Sequence, residues 1–229
     1  MGGAFDFDVI ARSLPYLWQG MQFSVTLTVL SMAGGIVLGT LLAMMRLSSI
    51  KALNLPSTAY VNLMRSTPLV LVIFWFYFMV PMIGQMITGS QQPVQVGPFV
   101  SALVTFTLFE ASYYAEIMRA GIQSISKGQV SAGYALGLDY WQTMGQIVLP
   151  QAFRNMIPVL LTQTIILFQD TSLVYVLSST DFLGAASKVA QRDGRLVEMY
   201  SFAAIVYFAI CFTLSAMVKK LQLKIAVIR

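Results

Sequence analysis

Residues 131–154 read SAGYALGLDYWQTMGQIVLPQAFR. The run just before and into it, QVSAGYAL (129–136), can form a short helix. Gly137 is a natural stop, because glycine tolerates the left-handed conformation that ends helices. Leu138 follows, and Asp139 is then a good N-cap. Gln142, three residues on, is its capping-box partner. Met144, Ile147 and Val148 give the second helix an apolar face, and Leu149-Pro150 is expected to end it. The stretch therefore predicts a helix–Gly turn–helix that carries apolar side chains. That surface must be buried, either on the chain's own bundle or against a docking partner.

The surroundings make this stretch stand out. The chain has 229 residues, is 57% apolar and has a mean hydropathy of +0.74. Only 10% of its residues are charged, against roughly a quarter in a soluble domain. It reads as an integral membrane protein and as an all-α chain. Five segments are long enough to cross about 30 Å of hydrocarbon, near 22–45, 67–86, 98–118, 156–178 and 200–218. The bilayer offers the backbone no water, so these runs should be helices. They lack the alternation that β-barrel strands require. The whole chain, 1–229, reads as a single transmembrane domain. Its N-terminal part, 1–20, is expected to lie at the interface, anchored by Phe5, Phe7, Ile10, Leu14, Tyr16, Leu17 and Trp18. It lacks the basic start of a cleaved signal.

Basic residues orient the spans. Arg46, Lys51, Arg65, Arg119, Lys127, Arg154, Lys219, Lys220, Lys224 and Arg229 fall on one side. Arg12, Lys188, Arg192 and Arg195 fall on the other, with Asp181, Asp193 and Glu198 among them. Ten against four puts the N-terminus outside, the C-terminus in the cytoplasm and the loop 119–155 on the cytoplasmic side. The net charge of +5 thus reflects membrane topology and not nucleic-acid binding.

Chemistry-bearing groups are few. The chain has no His and one Cys, so a zinc site or a His-based triad is excluded. No metal site is expected, and Cys211, in an apolar run, reads as a buried inert thiol. No GxxxxGK[ST] occurs, and neither does GxSxG or HExxH. Gly35 and Gly39 form a GxxxG spacing that suits a packing face within the subunit. RSTPLVLVIFWF predicts a helix start, with Ser66 or Thr67 as cap and Pro68 first in the helix. Arg65 sits just outside, as an interfacial anchor or a functional group.

Three carboxylates fall within the predicted spans, where each must face a protein interior or a watery path. Glu110 shares a helix face with Thr107, Tyr113 and Tyr114. Glu116 lies on the other side with Thr105, Ser112 and Arg119, and reads as a structural ion pair with Arg119. Gln163 and Asp170, seven apart, share a face with Thr162 and Gln169 beside them, and Thr171, Ser172 and Tyr175 follow. This polar stripe can line a cavity, form an interhelical hydrogen-bond network, or do both.

The loop resembles the cytoplasmic EAA loop of ABC importer permeases, whose pattern is EAA, three residues, Gly, nine residues, Ile, any residue, Leu-Pro. Here Ser131-Ala132-Gly133, Gly137, Ile147 and Leu149-Pro150 keep the spacing, while Ser131 replaces the Glu and Gly133 the second Ala. SLPYLWQGMQFSVTLTVLS, YVNLMRSTPLVLVIFWFYF, FEASYYAEIMRAGIQSISKGQ, LPQAFRNMIPVLLTQ and FQDTSLVYVLS look like the polar-amino-acid branch of that family. RDGRLVEMYSFAAIVYF is most like a membrane subunit of a bacterial glutamate/aspartate importer. The resemblance implies the type I ABC importer permease fold and a multi-pass place in the bacterial inner membrane. It implies a path lined by Glu110, Tyr113, Tyr114, Gln163, Asp170, Thr171, Ser172 and Tyr175. Coupling would fall to Ser131, Ala132, Gly133, Gly137, Leu138, Asp139, Ile147, Leu149 and Pro150. Two ATPase subunits that bind ATP and Mg, a second permease and a periplasmic amino-acid-binding protein are the implied partners. A basic or neutral polar amino acid is the alternative substrate. A channel or secondary transporter is the alternative class, although five spans do not divide into the equal halves common there.

Overall fold

The first helix, α1 (Asp8–Leu47), buries a stripe of small residues: Gly20, Ser24, Thr28, Ser31, Gly35, Gly39 and Ala43. Steps of three and four keep them on one face. In lipid, apolar surface gains little by association, so close packing has to supply the attraction. In this computed structural model, residues 5–92, 94, 96–177 and 179–225 are described. A Cβ on Gly39 would stand 2.8 Å from Tyr114 Cβ, and one on Gly20 would stand 2.7 Å from the Asp181 carbonyl oxygen. The GxxxG spacing is therefore a packing face within the subunit, as expected.

α1 gives the N-terminal segment its form. The helix starts at Asp8 and runs unbroken through the first span, with Phe7, Leu14 and Trp18 exposed. Val9 and Leu17 are fully or nearly buried in a cluster with Phe182, Ala185 and Met199, so this part is packed into the bundle. Residues 1–4 lie outside the described residues, as does Arg229 of the basic tail.

The stretch after α1 is a correction. The connection expected there is a 16-residue helix, α2 (Lys51–Ser66). Tyr60 Oη donates to the Leu108 carbonyl at 2.7 Å, and Val61 is buried with Ala43, Ala115 and Met118. Thr67 and Pro68 then break the chain before α3 (Leu69–Thr88). Neither Ser66 nor Thr67 caps α3, and Pro68 takes the cap position itself. Thr67 Oγ1 turns back to the Leu63 carbonyl at 2.9 Å, serving the end of α2.

α4 (Pro98–Gln123) begins at a proline and is about 39 Å long at 1.5 Å per residue. Four runs among the described residues are long and apolar enough to cross a membrane: α1, α3, Tyr140–Leu177 and Leu196–Ile225. α4, the third of the five expected spans, is less apolar because it faces protein. Ser101, Thr105, Glu110 and Ser112 are all buried.

Two short helices, α5 (Lys127–Ala135) and α6 (Tyr140–Thr143), make the loop. α6 runs through one π turn, Met144–Val148, straight into α7 (Leu149–Asp170). Leu149-Pro150 therefore does not end a helix. Pro150 has no N–H for the carbonyl four residues back, and the wider turn absorbs that mismatch. Gln151 Nε2 supplies a donor to the Ile147 carbonyl at 2.9 Å. The α-helix ends at Asp170, short of the expected 178, and tightens to a 3₁₀ turn over Thr171–Leu177. Thr171 Oγ1 donates there to the Phe168 carbonyl at 2.7 Å.

α8 (Phe182–Asp193) packs across α1, and α9 (Leu196–Ile225) follows the left-handed Gly194. Asp181 caps α8 by accepting from Leu183 N at 3.0 Å and Gly184 N at 3.1 Å. Cys211 is a buried free thiol.

Candidate functional site

The loop is built as its sequence predicts. Gly137 has φ +80°. Its N–H reaches the Tyr134 carbonyl at 3.0 Å, and the Leu138 N–H reaches the Gly133 carbonyl at 3.1 Å. That paired ending satisfies carbonyls that α5 would otherwise leave open. Asp139 Oδ1 accepts from Gln142 N at 2.8 Å, and Gln142 Oε1 accepts from Asp139 N at 3.0 Å. α5 folds back onto the next helix at Gly133, where a Cβ would stand 2.9 Å from Ile147 Cδ1 and 3.0 Å from Thr143 Cγ2. Ser131 and Ala132 are exposed, Ile147 and Leu149 are half-buried, and Pro150 is exposed.

This folding leaves a crown of large side chains uncovered. Leu136 is 80% exposed and Trp141 78%. Tyr134 and Tyr140 are about half exposed, and the Tyr140 and Trp141 rings meet edge to face at 5.2 Å.

The second region is a polar seam between α4 and α7. Glu110 is fully buried, and Gln163 Nε2 lies 3.2 Å from both its oxygens. One turn on, Tyr114 is buried against Gly35, with its hydroxyl 3.3 Å from Thr164 Oγ1. Tyr113 is half-buried, with the Arg65 guanidinium 5.4 Å from its ring centre. Asp170 closes the end of α7 half-buried, in electrostatic reach of Glu110 and Tyr113. It makes no hydrogen bond or ion pair among the described residues. Thr171 is buried, Ser172 half-buried and Tyr175 exposed. The seam thus brings Glu110, Tyr113, Gln163 and Asp170 together, while Tyr114 and Thr171 stand behind it.

Glu116 is more than the expected pair with Arg119. Arg46 and Arg119 both donate to it, and Arg65 Nη1 stands 3.7 Å away. Asn54 Nδ2 in turn donates to the Arg46 carbonyl. Arg65 and Arg46 are the groups that residue spacing did not bring to this site. The Thr67-Pro68 break was the available signal, since it stops α2 beside Tyr113.

A family model described as the binding-protein-dependent transport system inner membrane component matches residues 35–227. The chain belongs to that family. The glutamate/aspartate import permease protein GltK of Escherichia coli is 51% identical over 222 residues, covering 97% of this chain and 99% of that protein. The probable amino-acid ABC transporter permease protein YckA of Bacillus subtilis is 33% identical, covering 90% of this chain and 88% of that one. A chain from a crystal structure of an amino acid ABC transporter with histidines superposes with a TM-score of 0.87. The identity there is 27%, over 98% of this chain and all of that one. The all-α fold is that of an ABC importer permease of the polar-amino-acid branch, an inner-membrane protein with several apolar helices. Such permeases work with ATPase subunits, a second permease and a binding protein.

Proposed function

We propose that this permease is a membrane subunit of an ATP-driven importer of glutamate and aspartate. It receives substrate from a periplasmic binding protein and pairs with a second permease, related or identical. ATP and Mg are bound by two partner ATPase subunits, since the chain carries no P-loop sequence. The observation that carries this reading is the crown on the loop. A turn capped at both sides holds Leu136 and Trp141 outside the bundle, where a partner protein can cover them. The loop from Ser131 to Pro150 is the coupling element. Glu110, Tyr113, Gln163, Asp170, Ser172 and Tyr175 line the path, with Tyr114 and Thr171 bracing it. The acidic substrate is supported by the likeness to the glutamate/aspartate import permease. The excess of Lys and Arg on one side supports an outside N-terminus and a cytoplasmic loop.

A complex reconstituted with all partners should take up radiolabelled glutamate, and aspartate should compete. Competition by lysine or glutamine instead of aspartate rejects the substrate assignment. A reporter that matures only in the periplasm should be active when fused at Gln92 and silent at Lys127.

A further inference from the structure

The last helix outruns the core. α9 buries none of its described residues after Cys211, yet it continues to Ile225, about 21 Å further at 1.5 Å per residue. Lys219, Lys220 and Lys224 stand exposed on this length. They make no hydrogen bond or ion pair among the described residues. No acidic residue follows Glu198 in the sequence, so this part of the chain supplies them no counter-charge. Arginines elsewhere are answered from within the chain: Arg46 and Arg119 by Glu116, and Arg192 by Asp193.

Just before the lysines, α9 borders an apolar groove. It has a volume of about 200 Å³ and is walled by Val25 and Val29 of α1, Ile165 and Phe168 of α7, and Ile210 and Leu214 of α9. Its two threonines turn their hydroxyls to their own helices. Thr28 Oγ1 donates to the Ser24 carbonyl at 2.8 Å, and Thr164 Oγ1 to the Leu160 carbonyl at 2.9 Å. The groove therefore gives an occupant dispersion contacts in place of hydrogen bonds. Ile210 also lines a second apolar groove with Trp18, Met21 and Phe202, so a long chain has room to run on. At about 100° per residue, Ile210, Leu214 and Leu221 stay within about 40° of one another. Lys220 and Lys224 flank that line.

We propose that the groove and the lysines form one site for an anionic phospholipid, with an acyl chain in the groove and the phosphate at Lys220 and Lys224. The dimensions agree. From Ile210 to Lys224 the helix rises about 21 Å, and one leaflet with its headgroups is about 20–22 Å thick. An extended peptide in the groove would leave its backbone groups without partners, whereas an acyl chain has none to satisfy. Lysines where a helix leaves the hydrocarbon attract anionic headgroups, each adding about fivefold in affinity. Their flexible stems let Lys219 reach the headgroup from the far side of the helix. The lipid belongs to the leaflet on the side of the C-terminus, and the site does not depend on which amino acid is carried.

The test is native mass spectrometry of the purified permease–ATPase complex, offered equal amounts of phosphatidylglycerol and phosphatidylcholine with the same acyl chains. Wild type should prefer phosphatidylglycerol about thirtyfold or more at low ionic strength. Lys219→Gln, Lys220→Gln and Lys224→Gln combined should bring the two lipids level. Val29→Trp, at a half-exposed position of the groove wall, should lower retention of both lipids about tenfold. Inorganic phosphate at the same concentration should leave the bound phosphatidylglycerol in place. Displacement by phosphate would reduce the site to an anion contact without a groove, and overturns the proposal. Equal binding of the two lipids by wild type, or an undiminished preference in the triple variant, overturns it too. If the triple variant does not assemble, Lys224→Gln alone decides: a fivefold fall in preference is expected, and no fall overturns the site. Loss of the second permease from the Val29→Trp complex, with phosphatidylglycerol still bound, would give the groove to a partner helix and also sink the proposal.

Discussion

The loop and the seam are inversions of each other. At the loop, apolar side chains point away from the bundle, led by Leu136 and Trp141. At the seam, polar side chains point into it, led by Glu110 and Gln163. Each arrangement costs free energy in the isolated chain, and each is held by local structure that leaves no easy relaxation. Gly137 and the Asp139–Gln142 box fix the loop. The close approach of α1 to α4 at Gly35 and Gly39 fixes the seam. On the function proposed above, the uncovered apolar crown meets a protein surface and the enclosed polar seam meets a polar cargo.

The largest effect should come from the crown. Trp141→Glu replaces an exposed indole with a charge, so the permease should insert and fold normally. Buried aromatic anchors of interfaces commonly contribute 2 kcal/mol or more, about thirtyfold in affinity. The ATPase should be lost on purification and uptake should collapse. Retention of ATPase with full transport would mean that the crown has no such partner.

The seam should respond differently. Asp170 has no hydrogen-bond partner to strand among the described residues, so Asp170→Asn should leave membrane abundance and ATPase co-purification intact. Uptake should drop about tenfold or more, on the scale of a lost charge-assisted contact of about 1.5–3 kcal/mol. Transport at the wild-type rate and affinity would reduce Asp170 to a strut. Failure to assemble would make it a structural partner of a neighbouring helix.

Asp181, outside the spans, gives the smallest effect and sharpens the contrast. It is a carboxylate with its partners in place. Burial pushes it up to about 6, although the Gly184 and Leu183 N–H groups pull it down. A carboxyl raised in the folded state contributes most stability when protonated in both states, below about 4. That contribution is lost as pH rises through about 6. Asp181→Asn keeps one of the two cap bonds, since an amide has a single acceptor oxygen, and removes the titration. The variant should therefore gain on wild type by a few degrees of melting temperature between pH 4 and pH 7. Parallel melting curves across that range would show that the buried charge carries no such penalty.

Much of the loop was legible in the sequence because its determinants are local. Gly137, Asp139 and Gln142 act within a few residues of one another, and all three do what their spacing predicts. Gly35 and Gly39 were also legible, since small residues four apart mark a close-packed face. The seam was legible only as a list of polar residues. Glu110 meets Gln163 across 53 positions, and no periodicity reports which distant helix answers a given face. α2 was missed because KALNLPSTAYVNLMRS is too polar to read as a span. It can afford that polarity because α1 and α4 cover its buried side. The same gap left Arg65 as an anchor or functional group with no partner named, where the structure sets it beside Tyr113.

The continuity of α6, the π turn and α7 has a mechanical consequence. From the capped start at Tyr140 to Asp170 the chain is helical throughout, a rod of about 45 Å at 1.5 Å per residue. It has no slack loop in which a displacement could dissipate. A load applied beside Trp141 is delivered along the axis to Gln163 and Asp170. The π turn, one residue wider than its neighbours, and Pro158 inside α7 are compliant joints on the way. Thrust and lateral rocking are therefore handled differently. The rod transmits the first, and these joints set how much of the second reaches the seam.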